Sequence, residues 1–330
     1  MAGILAVSIP VRLLVLSDVH YAAAGEQARR GHEALAIQNP LLRLAAHCYR
    51  KHIWLADPYS HNPLLDTILE AEPCPDLVVA NGDFNLDTRF IGVSDEASME
   101  SARECLAKLR TAYGERLLLT IGDHELGKMS LFGGAGGLRL ESWNRTVGEL
   151  GIRPFWHHTA GAWNLVGITS TLVALPLFEP EILPAEKPAW EILRASHLQD
   201  IERCFDTIPL RNPILLCCHD PSALPFLQSL PSVRKRLPDL KATLLGHLHS
   251  PAVFDASRWL AGMPSIRFLG NTVRRLSTAL QQARSWEKFR PVLCPSPSGI
   301  ELTKDGGYLT TLLTADVASA LRFQRHRLPR

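Results

Sequence analysis

Five short apolar runs, Val11 to Leu16, Leu77 to Ala80, Leu117 to Ile121, Ile214 to Cys218 and Ala242 to Leu245, constrain this chain more than any other feature. Each has strand length and is apolar almost throughout, the pattern of strands buried on both faces. Helical periodicities lie between them, at Leu64, Leu65, Ile68 and Leu69, at Met99, Ala102, Leu106 and Leu109, and at Trp190, Leu193, Leu198, Ile201 and Phe205. Strands alternating with helices predict an α/β fold with a largely parallel sheet. Every run then ends in an Asp or a His: Ser17-Asp18-Val19-His20, Asn81-Gly82-Asp83, Gly122-Asp123-His124, His219-Asp220 and Gly246-His247-Leu248-His249. Ligands of open α/β sheets bind beyond the carboxyl ends of the strands, so the five ends are predicted to converge on one crevice.

A lone Asp or His after a strand is more often a helix cap or a solvated loop residue. Here five of the thirteen histidines, His20, His124, His219, His247 and His249, stand at such ends, which scattered placement rarely produces. Carboxylates with imidazoles and no thiolates form the donor set of hard to borderline divalent metals such as Mn, Fe or Zn. Gly82, Gly122 and Gly246 permit tight turns beside them.

Composition removes other classes. With 46% hydrophobic and 21% charged residues the chain can fill a core, and a net charge of +2 offers no strong nucleic-acid signal. Seven cysteines without a Cys-x-x-Cys pair argue against a disulfide framework or a zinc–thiolate site. The apolar start lacks a basic n-region, so a cytoplasmic location is expected. The uncharged stretch Thr159 to Phe178 is broken by Gly161, Asn164 and Pro176, which predicts a buried strand and a turn rather than a membrane helix.

The five strand-end motifs, Asp-x-His, Gly-Asp, Gly-Asp-His, a lone His and Gly-His-x-His, resemble in order and context those of the calcineurin-like metallophosphoesterase superfamily. Residues 11–249 carry the resemblance, and a narrower likeness to the phosphodiesterase-like branch rests on Val166-Gly167-Ile168-Thr169-Ser170 and the helix before His219. It implies a four-layer αββα sandwich of two mixed β-sheets flanked by helices, which refines the parallel-sheet picture. It also implies two divalent metal ions: Asp18, His20 and His249 hold one, His219, His247 and Asp123 hold the other, and Asp83 bridges them. His124 is implied as hydrogen-bond donor to the transition state or general acid. In such centres two cations roughly 3.5–4 Å apart clamp the attacking and leaving oxygens, and a metal-bridging hydroxide attacks phosphorus.

Two departures stand out. Asp123 occupies a place where the family usually has Asn; its extra charge is expected to retain the second metal more tightly and to weaken Lewis acidity. In Gly82-Asp83-Phe84-Asn85-Leu86-Asp87, Leu86 stands where the family often has an acidic or amide residue, which leaves no supporting role assigned to Asn85 or Asp87.

One catalytic domain over 1–315 is expected, with an insertion at 21–81 overhanging the site, a C-terminal hairpin extension at 276–315 centred on Asp305-Gly306-Gly307, and a basic tail at 316–330. Within the insertion, residues 40–56 mix Leu41, Leu42, Leu44, Tyr49 and Trp54 with Arg43, His47, Arg50, Lys51 and His52. Such a helix either packs with a solvated basic face or meets an acyl-bearing phosphate or a membrane surface peripherally. The glycine-rich Phe132 to Gly137 lacks a phosphate-loop signature and reads as a surface loop or a lid. His157 and His158 are expected on opposite faces of a strand, His197 in the core, and Arg234-Lys235-Arg236 on the solvated surface. The favoured substrate is a small or lipid-linked phosphodiester or diphosphate. A phosphomonoester, including phosphoprotein, and a catalytically silent scaffold are the alternatives, and no oligomeric state is implied.

Overall fold

A computed structural model describes residues 10–31, 37, 39–130, 135–265, 271–316 and 320–328. All five apolar runs are strands: β1 (Val11–Leu16), β2 (Leu77–Asn81), β3 (Leu117–Thr120), β6 (Ile214–Cys218) and β7 (Leu240–Leu245). They are divided between two sheets. One has the order β10-β9-β1-β2-β3 and the other β4-β5-β6-β7-β8, with β4 Phe155–Ala160, β5 Trp163–Ile168, β8 Pro291–Leu293, β9 Gly307–Leu313 and β10 Gln324–Arg327. The pairs β1–β2–β3 and β5–β6–β7–β8 run parallel, whereas β9, β10 and β4 add antiparallel edges. The single parallel sheet read from periodicity is thus replaced by two mixed sheets, as the family resemblance implied.

Alternation within each strand builds the layers. Leu13, Val15, Leu77 and Val79 of the first sheet join Leu165, Leu215, Cys217 and Leu244 of the second in one buried cluster between the sheets. Their neighbours Leu14, Leu16, Val78, Ala80, Val166 and Leu216 belong to a second cluster shared with the helices. Both faces are dry, which is why the runs carry no polar alternation.

The helices that matter here are α1 (Pro40–His52), α2 (Asn62–Ala71), α3 (Glu96–Tyr113), α4 (Lys187–Thr207) and α5 (Asn271–Gln282). Asn39 caps α1, its side chain accepting from Leu41 N at 2.9 Å and Leu42 N at 3.2 Å, with Pro40 at the first turn. Asp95 caps α3 by accepting from Ser98 N at 3.2 Å. Among the described residues, no helix is long and apolar enough to cross a membrane.

Three expectations change. Residues 276–315 are not one hairpin: they contain most of α5, a 3-10 turn at Ala283–Phe289, β8 in one sheet and β9 in the other. β9 pairs antiparallel with β10 as well as with β1, so part of the tail is a strand rather than a frayed end. Arg236 is buried and bonds the carbonyls of Phe205, Ile208 and Pro209, satisfying acceptors left at the end of α4. The expected burial of His197 is present, its Nε2 accepting from Thr169 N at 3.1 Å. Part of the glycine-rich segment 132–137 and the first nine residues lie outside the described residues.

Candidate metal centre

The two sheets meet at the carboxyl ends of β1, β2, β3, β6 and β7, and Asn81 ties them there. Its carbonyl accepts from Ser17 Oγ at 3.1 Å and lies 2.5 Å from His219 Nδ1, while its amide reaches Leu244 O at 3.4 Å. Asp18, His20, Asp83, His247 and His249 all adopt left-handed backbone, with φ between 48° and 62°. That region costs a non-glycine residue about 1–2 kcal/mol. Five such residues at one crevice mark a site at which side-chain direction outweighs backbone ease. The glycines permit close approach: a Cβ on Gly122 would fall 2.2 Å from Asp83 Oδ1, and one on Gly246 would fall 2.0 Å from Ser17 Oγ.

All eight residues proposed from the sequence as metal ligands or proton donor come together here. Ligand atoms of Asp18, His20 and His249 lie within 4.8 Å of one another, as do those of Asp83, Asp123, His219 and His247, and those of His20, Asp83 and His124. The third group overlaps the first two, so His124 is also within reach of a cation. His20 Nε2 and His249 Nε2 are 3.0 Å apart. Asp83 Oδ2 stands 3.2 Å from His219 Nε2 and 3.8 Å from both His20 Nε2 and His124 Nε2. Asp123 Oδ1 lies 3.2 Å from His247 Nδ1 and 3.5 Å from His219 Nε2. Backbone groups aim these side chains: His247 N donates to both oxygens of Asp18 at 2.9 and 3.1 Å, and His124 N to Asp83 Oδ1 at 3.0 Å. His124 Nδ1 is 2.8 Å from Leu86 O, which orients Nε2 away from that carbonyl.

Burial and mutual charge set the protonation of the group. Burial pushes Asp18 up to about 6. Burial also acts upward on Asp83, but the flanking imidazoles, His219 foremost, outweigh it and hold Asp83 below the usual carboxylate range. His20 and His249 are lowered well below the ordinary imidazole value by burial and by neighbouring imidazoles, and His124 to about 4 by burial and then by Lys128. His219 and His247 go the other way: burial lowers them, but Asp83 raises the first and Asp123 the second. The cluster therefore combines neutral imidazoles with carboxylates that attract positive charge. Asp83 Oδ2, His219 Nε2 and His249 Nδ1 are buried and have no hydrogen-bond partner among the described residues. Buried polar atoms are rarely left so, and a divalent cation bound by oxygen and imidazole donors fits this set.

Residues the sequence reading passed over complete the site. Glu125 takes Gly122 N at 2.7 Å, Phe84 N at 2.6 Å and Asp83 N at 3.1 Å, so it pins the second and third strand ends together. Asn85 does have a supporting role: its side-chain amide donates to His124 O at 3.1 Å and its backbone carbonyl faces His20 Nδ1 at 3.4 Å. Asp87 Oδ1 accepts from Ile91 N and Gly92 N at 3.1 and 3.0 Å, shaping the loop that carries Leu86. Lys128 places its ammonium 3.0 Å from Asp123 Oδ2. Burial would lower its pKa, but Asp123 and Asp83 outweigh that and raise it. The negative charge added by Asp123 therefore has its own counterion, which no motif in the sequence announced.

No protein-family model and no curated protein matches the chain. Among solved structures it is similar to a Staphylococcus aureus protein provisionally described as a 5′-nucleotidase, at 13% identity and a TM-score of 0.42 over 97% of this chain; the chain spans only 54% of that protein. It is similar to the phosphopantetheinyl hydrolase of Mycobacterium tuberculosis at 14% identity, covering 74% of this chain and 84% of that one with a TM-score of 0.36. A metallophosphoesterase from Sphaerobacter thermophilus follows at 13% identity and a TM-score of 0.34, covering 97% and 89%.

Proposed function

We propose that this protein is a metal-dependent phosphoester hydrolase with a dinuclear centre. The observation that carries the reading is the pair of donor groups, Asp18 with His20 and His249, and Asp123 with His219 and His247, placed around Asp83 and all buried except the partly exposed His247. Asp83 suits the shared place because a carboxylate has two oxygens to offer, whereas an imidazole offers one lone pair. Mn, Fe and Zn all fit these donors. Bound there, two divalent ions would supply Lewis acidity and lower the pKa of water toward about 7. The reaction adds the oxygen of water to phosphorus and breaks the bond to the alcohol oxygen, and the alcohol leaves with a proton. His124, whose Nδ1–H donates to Leu86 O and which faces the cavity, is the group that donates from Nε2 to the phosphoryl or leaving oxygen, which it does only as the imidazolium. Asn85 and Glu125 keep it in register with Asp83.

The favoured substrate is a small or lipid-linked phosphodiester or diphosphate; phosphomonoesters are the alternative within the same chemistry. The domain is single, carried past its expected end at 315 to include β10, in a cytoplasmic protein, with 40–56 as the place of any peripheral membrane contact. The test is elemental analysis of purified protein together with hydrolysis of an aryl phosphate and its bis-aryl diester. Two ions per chain and turnover of either ester are expected. One ion per chain would mean that the Lys128 ammonium takes the place of a cation, and a metal-replete protein inert toward both esters would leave the silent scaffold as the reading.

A further inference from the structure

An aromatic file leads out of the candidate centre. His124 meets His20 edge-on with ring centroids 4.4 Å apart, His20 stacks on His249 at 4.7 Å, His249 abuts Trp54 at 4.8 Å, and Trp54 stacks on Tyr49 at 6.2 Å. The outer two rings come from α1 and the turn behind it. That turn is held on both sides. Trp54 N donates to Tyr49 O at 3.0 Å, Glu301 N donates to Trp54 O at 2.7 Å, and Leu302 N to Ile53 O at 3.2 Å. Trp54 is therefore anchored against His249 and is not a surface residue awaiting a membrane.

The file lines a cavity of about 350 Å³ that also contains His20, His124, His247 and His249. Phe90, Leu280 and Trp286 contribute further apolar wall. This volume lies within the roughly 300–1,000 Å³ usual for small-molecule sites. Two lining cations are already engaged: Lys128 with Asp123, and Arg275 Nη1 with both oxygens of Glu181 at 2.8 and 2.9 Å. Beyond the phosphoryl group, a substrate would meet mainly ring faces and aliphatic carbon, with Arg50, Thr88, Ser130, Asp220 and Ser222 as polar members of the wall. Aromatic faces of this kind favour offset or edge-on contact with flat apolar groups.

Given the phosphoester reading above, on which this rests, we propose that the alcohol released is aromatic or comparably bulky and apolar, seated against Trp54. Trp54 is then a specificity-determining residue, selecting through the group attached to phosphorus. The test compares ethyl phosphate with 2-(2-naphthyl)ethyl phosphate, two primary alkyl esters differing in the remote ring, on metal-replete protein and on Trp54→Ala. Wild-type protein should favour the naphthyl ester in kcat/KM by at least tenfold, and Trp54→Ala should reduce that preference at least fivefold. Equal rates for the two esters in the wild type would overturn the inference while leaving the hydrolase reading intact. So would a preference unmoved in a Trp54→Ala protein of unchanged metal content.

Binding of ethylphosphonate and 2-(2-naphthyl)ethylphosphonate to metal-replete wild type, by calorimetry, decides the matter independently of turnover and of any folding failure in the variant. At least tenfold tighter binding of the naphthyl compound supports the inference, and equal binding overturns it. Inertness toward both monoesters alongside selective phosphonate binding would count against the phosphomonoester alternative, and against the hydrolase reading only where the bis-aryl diester is inert as well.

Discussion

Replacing Lys128 with methionine would leave the Asp123 carboxylate without its ammonium partner, and the cost can be worked from the geometry. Unit charges 3.0 Å apart in an effective dielectric near 20 attract by about 5–6 kcal/mol before desolvation is counted. Asp123 is fully buried, whereas the Lys128 side chain keeps 19% of its exposure, so part of the attraction is spent on dehydrating one charge more than the other. Breaking a buried pair by removing one member costs about 3–5 kcal/mol, and the partial exposure places Lys128→Met near the lower end, at about 3 kcal/mol. Asp123→Asn in the same chain removes the stranded charge, so the double variant should recover most of the loss. Urea unfolding in the presence of chelator, followed by tryptophan fluorescence for wild type, both single variants and the double variant, measures the coupling. A coupling of about 2–3 kcal/mol is expected. A value below about 0.5 kcal/mol would refute the idea that Lys128 balances the charge Asp123 adds. The same pairing tempers the tighter retention of metal expected from Asp123, because the ammonium already offsets its charge.

Asp83→Asn should lower the metal bound per chain relative to wild type and reduce turnover by about a hundredfold or more, read by elemental analysis and initial rates. His124→Gln should reduce kcat by about 10²–10⁴ while metal content stays near that of the wild type; loss of metal as well would make His124 a ligand instead of a donor. Gly122→Ala should lower metal content through displacement of Asp83, since the new methyl would fall 2.2 Å from its Oδ1. His197 is buried and lowered to about 4 by desolvation, so the unfolded chain binds its proton first as pH falls. Its stabilising contribution is complete above about 6.5 and is lost progressively between there and 4, about 3 kcal/mol in all. His197→Gln should therefore flatten unfolding free energy across that window by about one proton, and an unchanged slope would show that His197 titrates normally.

Much of the architecture was legible because the signals are local. An apolar run such as Ile214–Cys218 can be hidden from water on both faces only as a central strand, and a residue such as Asp18 or His247 directly after such a run can lie only at its carboxyl end. The division of the strands between two sheets was not local. Strand length and apolarity are the same in either sheet, and what separates β1 from β6 is the partner each finds across the chain. The supposed hairpin at Asp305-Gly306-Gly307 failed for the same reason: β9 pairs with β1, nearly three hundred residues earlier, and with β10 after it.

The candidate site divides along the same line. Sequence alone determined which side chains stand at strand ends, because a two-residue offset from a buried strand leaves little freedom in where they point. Only tertiary structure decided what surrounds them. Lys128 reaches Asp123 from five residues downstream, and Glu125 binds amides of two separate strand ends. Trp54 reaches His249 from an insertion almost two hundred residues away. Charge balance and pocket shape are sums over neighbours in space, and no spacing along the chain records them.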